Sequence, residues 1–311
     1  MTDLLITGGA GFIGSNLARR AVADPRVRRV VVLDDLSTGA RENLAGLDVE
    51  FVEGSVTDTT ALDRAVAGVD CVVHLAALAS VPASIDDPLR CHEVNATGTL
   101  LLLEACRRHG VQHVAAASSS AVYGANPAAL KHEREWVRPL SPYAVSKLAT
   151  EQYLMAYQTC YDLRTVAFRF FNVYGPGQPA GHVYAAVIPL FVDALLDGRP
   201  LTVFGDGTQT RDFIFVGTVC EILLDSALRN LGHPEPVNVA LNTETSLLEL
   251  IEEIREVSGT SPQVEFRPPR AGDILHSRAD DSRLRELFPS LSPVPLADGL
   301  RQTIDWARSL R

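Results

Sequence analysis

The chain has 311 residues and carries 28 Lys and Arg against 38 Asp and Glu, a formal charge of −10. Its hydrophobic share of 46% and charged share of 21% fit a globular protein with ample chain to bury a core, in one large domain or two small ones. The negative charge argues against nucleic acid and anionic membranes as main partners. No apolar run approaches the roughly 20 residues that span a bilayer, and the first apolar run ends in glycines. We therefore expect a cytoplasmic protein.

The first half of the chain alternates short apolar runs with helical patterns. Such alternation is typical of right-handed βαβ units around a parallel sheet, and the near-continuous apolar strands indicate helices on both faces. The sequence therefore predicts an α/β fold with a doubly wound parallel sheet. The expected strands are residues 4–7, 30–33, 49–52, 71–75, 113–117 and 165–170, and the expected helices are 14–23, 60–67, 95–109 and 142–160.

The character of the chain changes after about residue 175. Residues 175–179, Gly-Pro-Gly-Gln-Pro, read as a loop, and proline, glycine and charged stretches recur beyond it. We expect a first domain at 1–175, with a return segment near 211–240, and a smaller, less regular α/β lobe at 176–311. The helical patterns of that lobe lie at 188–196, 246–257 and 296–309.

Two residue types limit the available chemistry. Only two of the cationic residues are lysines, Lys131 and Lys147, so a reaction that needs an ammonium group has two candidates. The five cysteines lie far apart, with no CxxC pair and no Cys/His cluster at zinc spacing. We expect reduced, buried thiols and no metal site.

A glycine-rich turn follows the first strand and opens a helix. Gly8, Gly11 and Gly14 give a G-x-x-G-x-x-G pattern, which allows a tight turn, a close approach to a pyrophosphate and an anion at a helix N-terminus. Twenty residues past Gly14 the second strand ends in Asp34. A carboxylate there can accept both hydrogen bonds of an adenosine ribose diol, and it repels a 2′-phosphate. The sequence therefore predicts dinucleotide binding, with NAD favoured over NADP.

A tyrosine and a lysine lie one turn apart at the start of a predicted helix. Ser141 suits the N-cap and Pro142 the first turn, so Tyr143 and Lys147, at i and i+4, share one face. A free tyrosine, with a pKa of about 10, is a poor base near neutral pH, but a neighbouring ammonium favours the phenolate. Serines 118–120 follow an apolar strand, where a hydroxyl could hold the same substrate oxygen. This constellation predicts a base for a substrate hydroxyl.

Together these motifs resemble a known family. The chain is similar to an extended short-chain dehydrogenase/reductase of the NAD-dependent epimerase/dehydratase group, over essentially its whole length. The motifs that carry the resemblance are TGGAGFIG at 7–14, Asp34, HLAA at 74–77, Asn95 with Gly98-Thr99, SSSAVYG at 118–124, Tyr143 with Lys147, FFNVYGP at 170–176, VFGDG at 203–207, RDF at 211–213 and RAGD at 270–273.

The resemblance implies a nucleotide-diphosphate sugar as substrate and a tightly held NAD in a Rossmann domain. The group's dehydratases and UDP-glucuronate decarboxylases carry an acidic residue in the strand-end motif, where this chain has Ser120-Ala121. The pattern therefore resembles UDP-hexose 4-epimerases. In that reaction Tyr143 takes the proton of the sugar 4-hydroxyl while Ser119 binds that oxygen. Hydride passes from C4 to NAD, the 4-keto sugar rotates to present its other face to NADH, and hydride returns to invert C4.

The resemblance also assigns contacts. The expected catalytic residues are Tyr143, Lys147 and Ser119, with Ser120 as a helper. The expected substrate contacts are Ser80, Ser119, Tyr143, Asn172, Val187, Val203, Phe204, Arg211, Arg270 and Asp273, of which Asn172 and the two arginines bind the diphosphate. The expected NAD contacts are Gly8, Gly11, Phe12, Ile13, Gly14, Asp34, Ser37, Thr38, Gly39, Ser55, Val56, Leu75, Ala76, Ala77, Asn95, Tyr143 and Lys147.

The chain departs from the group's pattern at several positions. Ser55-Val56 replace an Asp-Ile or Asp-Leu near the adenine, and Gly217-Thr218 replace the end of the RDF motif. Ser277, seven residues past Arg270, occupies a place where glucose-restricted epimerases tend to have a bulky tyrosine. The small serine indicates a roomier pocket, open to an N-acetylhexosamine or a uronic acid.

Two alternatives of different kinds stay open. The same scaffold supports decarboxylation of UDP-glucuronate or another nucleotide-sugar dehydration. A non-catalytic NAD-sensing regulator is a remote alternative, because such proteins usually lose the tyrosine or the lysine. The apolar helices predicted at 95–109 and 142–160 resemble the pair that forms a four-helix dimer interface in the family. We therefore expect a homodimer.

Overall fold

A computed structural model describes residues 1–180, 186–269 and 275–311 of the chain. Among these residues, none of the helices combines the length and the apolar character that crossing a bilayer requires. The strands are β1 (Thr2–Thr7), β2 (Val27–Asp34), β3 (Glu50–Glu53), β4 (Cys71–His74), β5 (His113–Ser119), β6 (Leu130–Lys131), β7 (Arg164–Phe170), β8 (Asn172–Tyr174), β9 (Leu201–Phe204), β10 (Thr210–Arg211), β11 (Phe213–Phe215), β12 (Val237–Val239), β13 (Thr245–Ser246), β14 (Val264–Arg267) and β15 (His276–Ala279).

The helices alternate with these strands in the first half of the chain. They are α1 (Phe12–Val22), α2 (Thr59–Val66), α3 (Val81–Asp86), α4 (Pro88–His92), α5 (Gly98–His109), α6 (Pro142–Tyr161), α7 (Val187–Leu196), α8 (Val216–Leu228), α9 (Leu247–Ser258), α10 (Ser282–Leu287) and α11 (Leu296–Ser309). Short 3-10 helices lie at Arg41–Leu44 and Ser120–Tyr123, and a π-helical turn lies at Glu93–Thr97.

The largest sheet has seven strands in the order β12-β7-β5-β4-β1-β2-β3. Every neighbouring pair from β7 to β3 is parallel. The chain moves outward from β1 to β3 and then crosses to β4 on the other side, so the strand order reverses between β1 and β4. Ligands of open α/β sheets bind beyond the carboxyl ends of the strands at such a reversal. The predicted doubly wound parallel sheet is confirmed.

One face of the sheet is covered by α2, α5 and α6. Leu62, Leu102 and Leu154 from these three helices are at most 1% exposed, and they lie in one apolar cluster with Leu5 and Val114 of the strands. Burying a leucine side chain of this kind stabilises the fold by about 1.5–3 kcal/mol. The core therefore fixes the helices that carry the candidate site.

The predicted helix 95–109 is helical throughout, but its first turn is a π-helical turn and not regular α-helix. Regular α-helix begins at Gly98, after a π-helical turn in which the Gly98 N–H bonds to the Glu93 carbonyl five residues earlier. A Cβ on Gly98 would lie 2.7 Å from a methyl group of Val56, so the turn depends on close packing that sequence periodicity does not record. The prediction that all cysteines are buried is wrong, because Cys160, near the end of α6, is exposed.

The chain divides into two compact units. One comprises Met1–Asn126, Glu133–Phe170 and Cys220–Asn238. The other comprises Pro127–His132, Phe171–Val219 and Val239–Arg311, and it holds smaller sheets with the orders β13-β10-β15-β6, β11-β8 and β14-β9. The domain boundary at residue 175 and the return segment near 211–240 stay predictions.

Candidate active site

The glycine turn after β1 leaves no room for side chains. Gly8 has φ +69°, which favours glycine, and a Cβ there would lie 2.7 Å from the Ala76 backbone nitrogen. A Cβ on Gly14 would lie 2.1 Å from the Gly8 carbonyl oxygen. Helix α1 starts after Gly11 without a side-chain cap, so its first N–H groups are not satisfied by a capping side chain. A backbone cradle of this shape at a helix N-terminus fits the pyrophosphate of a dinucleotide.

Asp34 lies at the carboxyl end of β2, next to the glycine turn. Its two carboxylate oxygens accept hydrogen bonds of 2.9 Å from the backbone nitrogens of Ala10 and Leu36. The side chain is buried, which raises its pKa, and these two backbone N–H groups oppose the shift. Carboxylate oxygens keep further lone pairs after two such bonds, so Asp34 can still accept from a ribose diol.

The segment after Asp34 packs against the same turn. A Cβ on Gly39 would lie 2.8 Å from the Ala10 carbonyl carbon, and Asn43 donates a hydrogen bond of 2.8 Å from its side chain to the Ala10 oxygen. Sequence reasoning missed Asn43. Ser37 bonds to Asp35, and Ser55 bonds to Thr57.

The other predicted NAD contacts lie around the carboxyl ends of the sheet. Leu75 and Ala76 follow β4 and donate from their backbone nitrogens to the Thr7 carbonyl and hydroxyl oxygens, at 3.0 and 3.3 Å. Asn95 is 1% exposed; its side chain accepts from the Leu78 nitrogen and donates to the Leu78 carbonyl, the Cys91 sulfur and the Ser146 hydroxyl. Predicted contacts between these residues and NAD stay predictions, as they do for Phe12, Ile13, Thr38, Val56 and Ala77.

Helix α6 begins as its sequence predicts. The Ser141 hydroxyl caps the helix by accepting from the Ala144 nitrogen at 3.2 Å, and Pro142 takes the first helical position. Ser84, which sequence reasoning missed, accepts from the Tyr143 nitrogen at 3.1 Å through a side chain that is fully buried. The first turn of α6 is therefore fixed from two sides.

The structure brings Tyr143, Lys147 and Ser119 together. Ser119 ends β5 and is hydrogen-bonded to the Tyr143 side chain, which lowers the pKa of the phenol, although burial raises it by more. Lys147 is 5% exposed, and its Nζ donates to the Ala117 carbonyl oxygen at 2.8 Å. Burial lowers the pKa of Lys147 to about 8. Ser120, the fourth predicted catalytic residue, starts the 3-10 helix and is partly buried.

A buried ion pair beneath this group was not predicted. Glu151, one turn beyond Lys147, accepts bonds of 2.9 and 2.8 Å from Arg169 and one of 2.5 Å from the Ser118 hydroxyl. The side chains of the pair are 0% and 4% exposed. Arg169 also stacks on Tyr123 at 4.7 Å from the ring centroid. This network ties α6 to the strand that carries Ser119, and a motif search by spacing could not find it because its partners lie 18 and 33 residues away.

The second unit contains a cavity of about 400 Å³. Predicted residues Asn172, Val187, Phe204 and Arg211 line it, whereas Val203 is fully buried in β9 and does not. The main apolar walls come from Phe171, Leu190, Phe191, Phe213 and Leu247.

Asp212 organises the polar side of this unit. Asn172 donates to the Asp212 carbonyl oxygen at 3.1 Å, while the buried Asp212 carboxylate accepts from the Leu241 nitrogen and the Thr243 hydroxyl, each at 3.0 Å. Ser277 pairs with Arg211 in the parallel register of β15 and β10. Sequence reasoning missed this role of Asp212.

The other predicted substrate contacts belong to the first unit or lie outside the described ranges. Ser80, in the first unit, caps α3 by accepting from the Ala83 nitrogen at 3.2 Å. Arg270 and Asp273 lie outside the described residues. Within residues 1–180, 186–269 and 275–311, no cluster of three His, Cys, Asp or Glu side chains is placed to hold a metal ion.

Comparison with known proteins identifies the family. The family model described as "NAD dependent epimerase/dehydratase family" matches residues 4–240. The chain is 41% identical to UDP-glucose 4-epimerase of Mycolicibacterium smegmatis, over 98% of both chains. It is 37% identical to a solved UDP-N-acetylglucosamine 4-epimerase of Methanobrevibacter ruminantium in complex with UDP-N-acetylmuramic acid, with a TM-score of 0.93 and coverage of 100% and 99%. A Thermus thermophilus UDP-glucose 4-epimerase solved with NAD is 37% identical, with a TM-score of 0.88 and coverage of 99% and 100%.

These comparisons confirm NAD as the cofactor. The uncapped helix terminus, the glycine cradle and the buried carboxylate of Asp34 fit that group on geometry alone. The chain belongs to the NAD-dependent epimerase/dehydratase family.

Proposed function

We propose that this protein is an NAD-dependent 4-epimerase of a UDP-hexose, with Tyr143 as the base. The observation that carries the proposal is the group of Tyr143, Ser119 and Lys147 at the carboxyl end of β5, next to the dinucleotide cradle in the same unit. Relatives named as UDP-sugar 4-epimerases, aligned over nearly the whole chain, support the reaction type.

Each residue of this group has a separate task. Tyr143, as a phenolate, takes the proton from the sugar 4-hydroxyl and returns it to the same oxygen once the configuration at C4 has been inverted. Ser119, already hydrogen-bonded to Tyr143, donates to or accepts from the same sugar oxygen. The Lys147 ammonium opposes the effect of burial by favouring the phenolate. Bound NAD supplies the reversible hydride acceptor for C4.

The absence of an acid beside the base separates epimerisation from dehydration. The two residues after Ser119 are Ser120 and Ala121, so the strand-end motif itself supplies no carboxyl group to move a proton at C5 or C6. Elimination needs such a proton transfer, whereas inversion at C4 needs only one group that takes and returns a proton. The local chemistry therefore favours an epimerase over a nucleotide-sugar dehydratase.

The proposed contacts with the diphosphate and the base of the substrate come from the second unit. Arg211 and Asn172 line its cavity and supply donors for a diphosphate, while Phe204 and Val187 supply apolar walls for a flat base. Ser277 sits beside Arg211 in strand register and adds little bulk. We therefore propose a sugar larger than glucose, either UDP-N-acetylglucosamine or UDP-glucuronate, with Arg270, Asp273 and Ser80 as further contacts.

The decisive experiment is a panel of UDP-sugars incubated with the protein and followed by proton NMR. We expect inversion at C4 of at least one member, with UDP-N-acetylglucosamine and UDP-glucuronate turned over faster than UDP-glucose. Loss of carbon dioxide from UDP-glucuronate, seen by mass spectrometry, would establish the decarboxylase instead. Tyr143→Phe should abolish turnover while keeping bound NAD, and full activity in that variant would exclude Tyr143 as the base.

A homodimer is proposed from two neighbouring helices. On α5, Leu100 and Leu101 remain partly exposed, as does Tyr153 on α6. An apolar strip on two adjacent helices suits a four-helix contact between two copies. Analytical ultracentrifugation should give twice the chain mass, and Leu101→Glu should reduce it to the mass of one chain.

A further inference from the structure

Three buried polar side chains take no part in the proposed reaction. Thr7 ends β1, His74 ends β4 and Thr99 lies in the first turn of α5, and they are 0%, 4% and 1% exposed. His74 lies between the two threonines. Its Nδ1 is 2.7 Å from the Thr7 hydroxyl oxygen, and its Nε2 is 3.1 Å from the Thr99 hydroxyl oxygen.

These contacts form a hydrogen-bond chain, and the neighbouring hydrogen bonds fix its direction from donor to acceptor. The Thr99 hydroxyl donates its only proton to the Asn95 carbonyl oxygen at 2.5 Å, so it must accept from His74. His74 therefore carries its proton on Nε2, and Nδ1 accepts from the Thr7 hydroxyl. The Thr7 oxygen in turn accepts from the Ala76 nitrogen at 3.3 Å. Every donor from Ala76 to Asn95 points the same way, an arrangement in which successive bonds polarise one another.

The surroundings keep the imidazole neutral. Burial, with a smaller contribution from the positive charge of Lys147, lowers the pKa of His74 to about 3. An imidazolium would donate from both nitrogens, which would remove the acceptor that the Thr7 hydroxyl uses. The neutral Nε2–H tautomer is the form that satisfies every donor and acceptor in the hydrogen-bond chain.

One end of the hydrogen-bond chain is the phosphate-binding turn. Thr7 directly precedes Gly8, and a Cβ on Gly8 would lie 2.7 Å from the Ala76 nitrogen, which is the first donor of the chain. The position of Ala76 thus sets how closely β4 approaches the turn.

The other end is the helix that carries the candidate base. Thr99 is 3.2 Å from the hydroxyl of Thr150, three residues after Lys147 on α6. Asn95, the terminal acceptor, also donates from its side chain to the Ser146 hydroxyl at 2.9 Å. Asn95 belongs to the π-helical turn Glu93–Thr97, a distortion often found at functional sites.

We propose that His74 is a positioning residue that holds the phosphate-binding turn and helix α6 in one register, so that bound NAD meets Tyr143 and Lys147 correctly. This inference deepens the proposed function at its NAD site and rests on that part alone. A different reaction at the sugar would leave the inference about His74 unchanged.

The test measures NAD affinity without any sugar. His74→Phe, Thr7→Val and Thr99→Val remove successive members of the chain, and equilibrium dialysis gives the NAD dissociation constant of each. We expect binding weaker by about tenfold, since a buried polar group loses its partner in each variant. Thr7→Ser, which restores the hydroxyl, should recover most of the affinity lost in Thr7→Val.

Matched controls separate positioning from general destabilisation. His113 is fully buried and bonded to the Leu231 carbonyl, and Thr165 is 1% exposed and donates to the Leu154 carbonyl at 2.8 Å, both at the opposite end of the sheet. His113→Phe and Thr165→Val should lower the melting temperature without changing the NAD dissociation constant. Wild-type NAD affinity in folded Thr7→Val and Thr99→Val, or equal losses in the controls, would overturn the proposal.

The tautomer has its own readout. Nitrogen-15 NMR of histidine-labelled protein should show one imidazole protonated on Nε2 only, unchanged between pH 6 and 8, whose signals disappear in His74→Gln. A His74 signal from an imidazolium or from the Nδ1–H tautomer would contradict the bond directions and overturn the proposal.

Discussion

The Nζ of Lys147 lies 2.8 Å from the carbonyl oxygen of Ala117, two residues before Ser119 on β5. This bond places the ammonium of α6 beside the strand end that carries Ser119. The charge is held in a buried position, and that burial lowers the lysine pKa to about 8. In the proposed mechanism activity needs this charge, whereas its burial costs stability, so the two place opposite demands on the side chain.

Lys147→Met should separate these two demands. We expect kcat to fall by about 100-fold or more, because the phenolate of Tyr143 loses its favourable charge. The melting temperature of the NAD-depleted variant at pH 7 should not fall, since an apolar chain replaces a buried charge. Lys131→Met, at the other lysine, should keep wild-type kcat. Wild-type kcat in Lys147→Met would contradict the proposed role.

The burial of the Lys147 charge should also appear in the pH dependence of the free energy of unfolding. The folded pKa of Lys147 is about 8 against 10.5 for a free lysine, so the unfolded state binds more protons in that window. The contribution of Lys147 to the free energy of unfolding should therefore rise with pH between about 8 and 10.5, by about 3 kcal/mol. Urea unfolding of wild type and Lys147→Met across this range measures the difference. A difference that stays constant would show that Lys147 is not desolvated.

Glu151→Gln should destabilise the first unit strongly. It leaves the buried Arg169 charge without its partner, a loss that typically costs about 3–5 kcal/mol. Asp298→Asn, which breaks the exposed pair with Arg301, should cost about 1 kcal/mol or less. Denaturant unfolding of the two variants gives the comparison, and similar small losses would rule out a structural role for the Glu151 network.

Gly14→Ala should abolish NAD binding. Its methyl group would stand 2.1 Å from the Gly8 carbonyl oxygen, so the turn would have to open. Gly46→Ala is the control, because Gly46 adopts a positive φ on the same unit but a methyl group there would meet no atom of the described residues within 4 Å. It should cost roughly 1 kcal/mol of stability and keep the NAD dissociation constant. Binding by Gly14→Ala with unchanged affinity would show that the turn does not hold the pyrophosphate.

Ser277→Tyr should narrow the choice of sugar. Because Ser277 lies beside Arg211 in strand register, a large ring there reduces the space near the proposed diphosphate contact. We expect kcat/KM for UDP-N-acetylglucosamine to fall at least tenfold more than kcat/KM for UDP-glucose. Equal losses of kcat/KM on both substrates would show that residue 277 does not select between sugars by their 2-substituent.

Local spacing carried the predictions that the structure supports best. Gly8, Gly11 and Gly14 lie within seven residues of one another around the start of α1. Tyr143 and Lys147 are one turn apart on α6, so helical periodicity alone places them on one face. The prediction of a buried Cys160 was wrong. The π-helical turn before α5 was not predicted, because the close packing of Gly98 involves Val56, which is distant in sequence. Glu151 pairs with Arg169, and His74 with Thr7, across 18 and 67 residues, for which a single sequence contains no spacing signal.

The sequence by itself predicted the parallel α/β fold, a glycine-rich turn suited to a dinucleotide, and a lysine one helical turn from a tyrosine. Each follows from strand and helix periods or from residue types within a few positions of one another. Only the tertiary structure decided that this lysine is buried against Ala117 and that a directional chain through His74 links the cradle to its helix. The physical reason is that burial, pKa and hydrogen-bond direction depend on groups that folding brings together from distant parts of the chain.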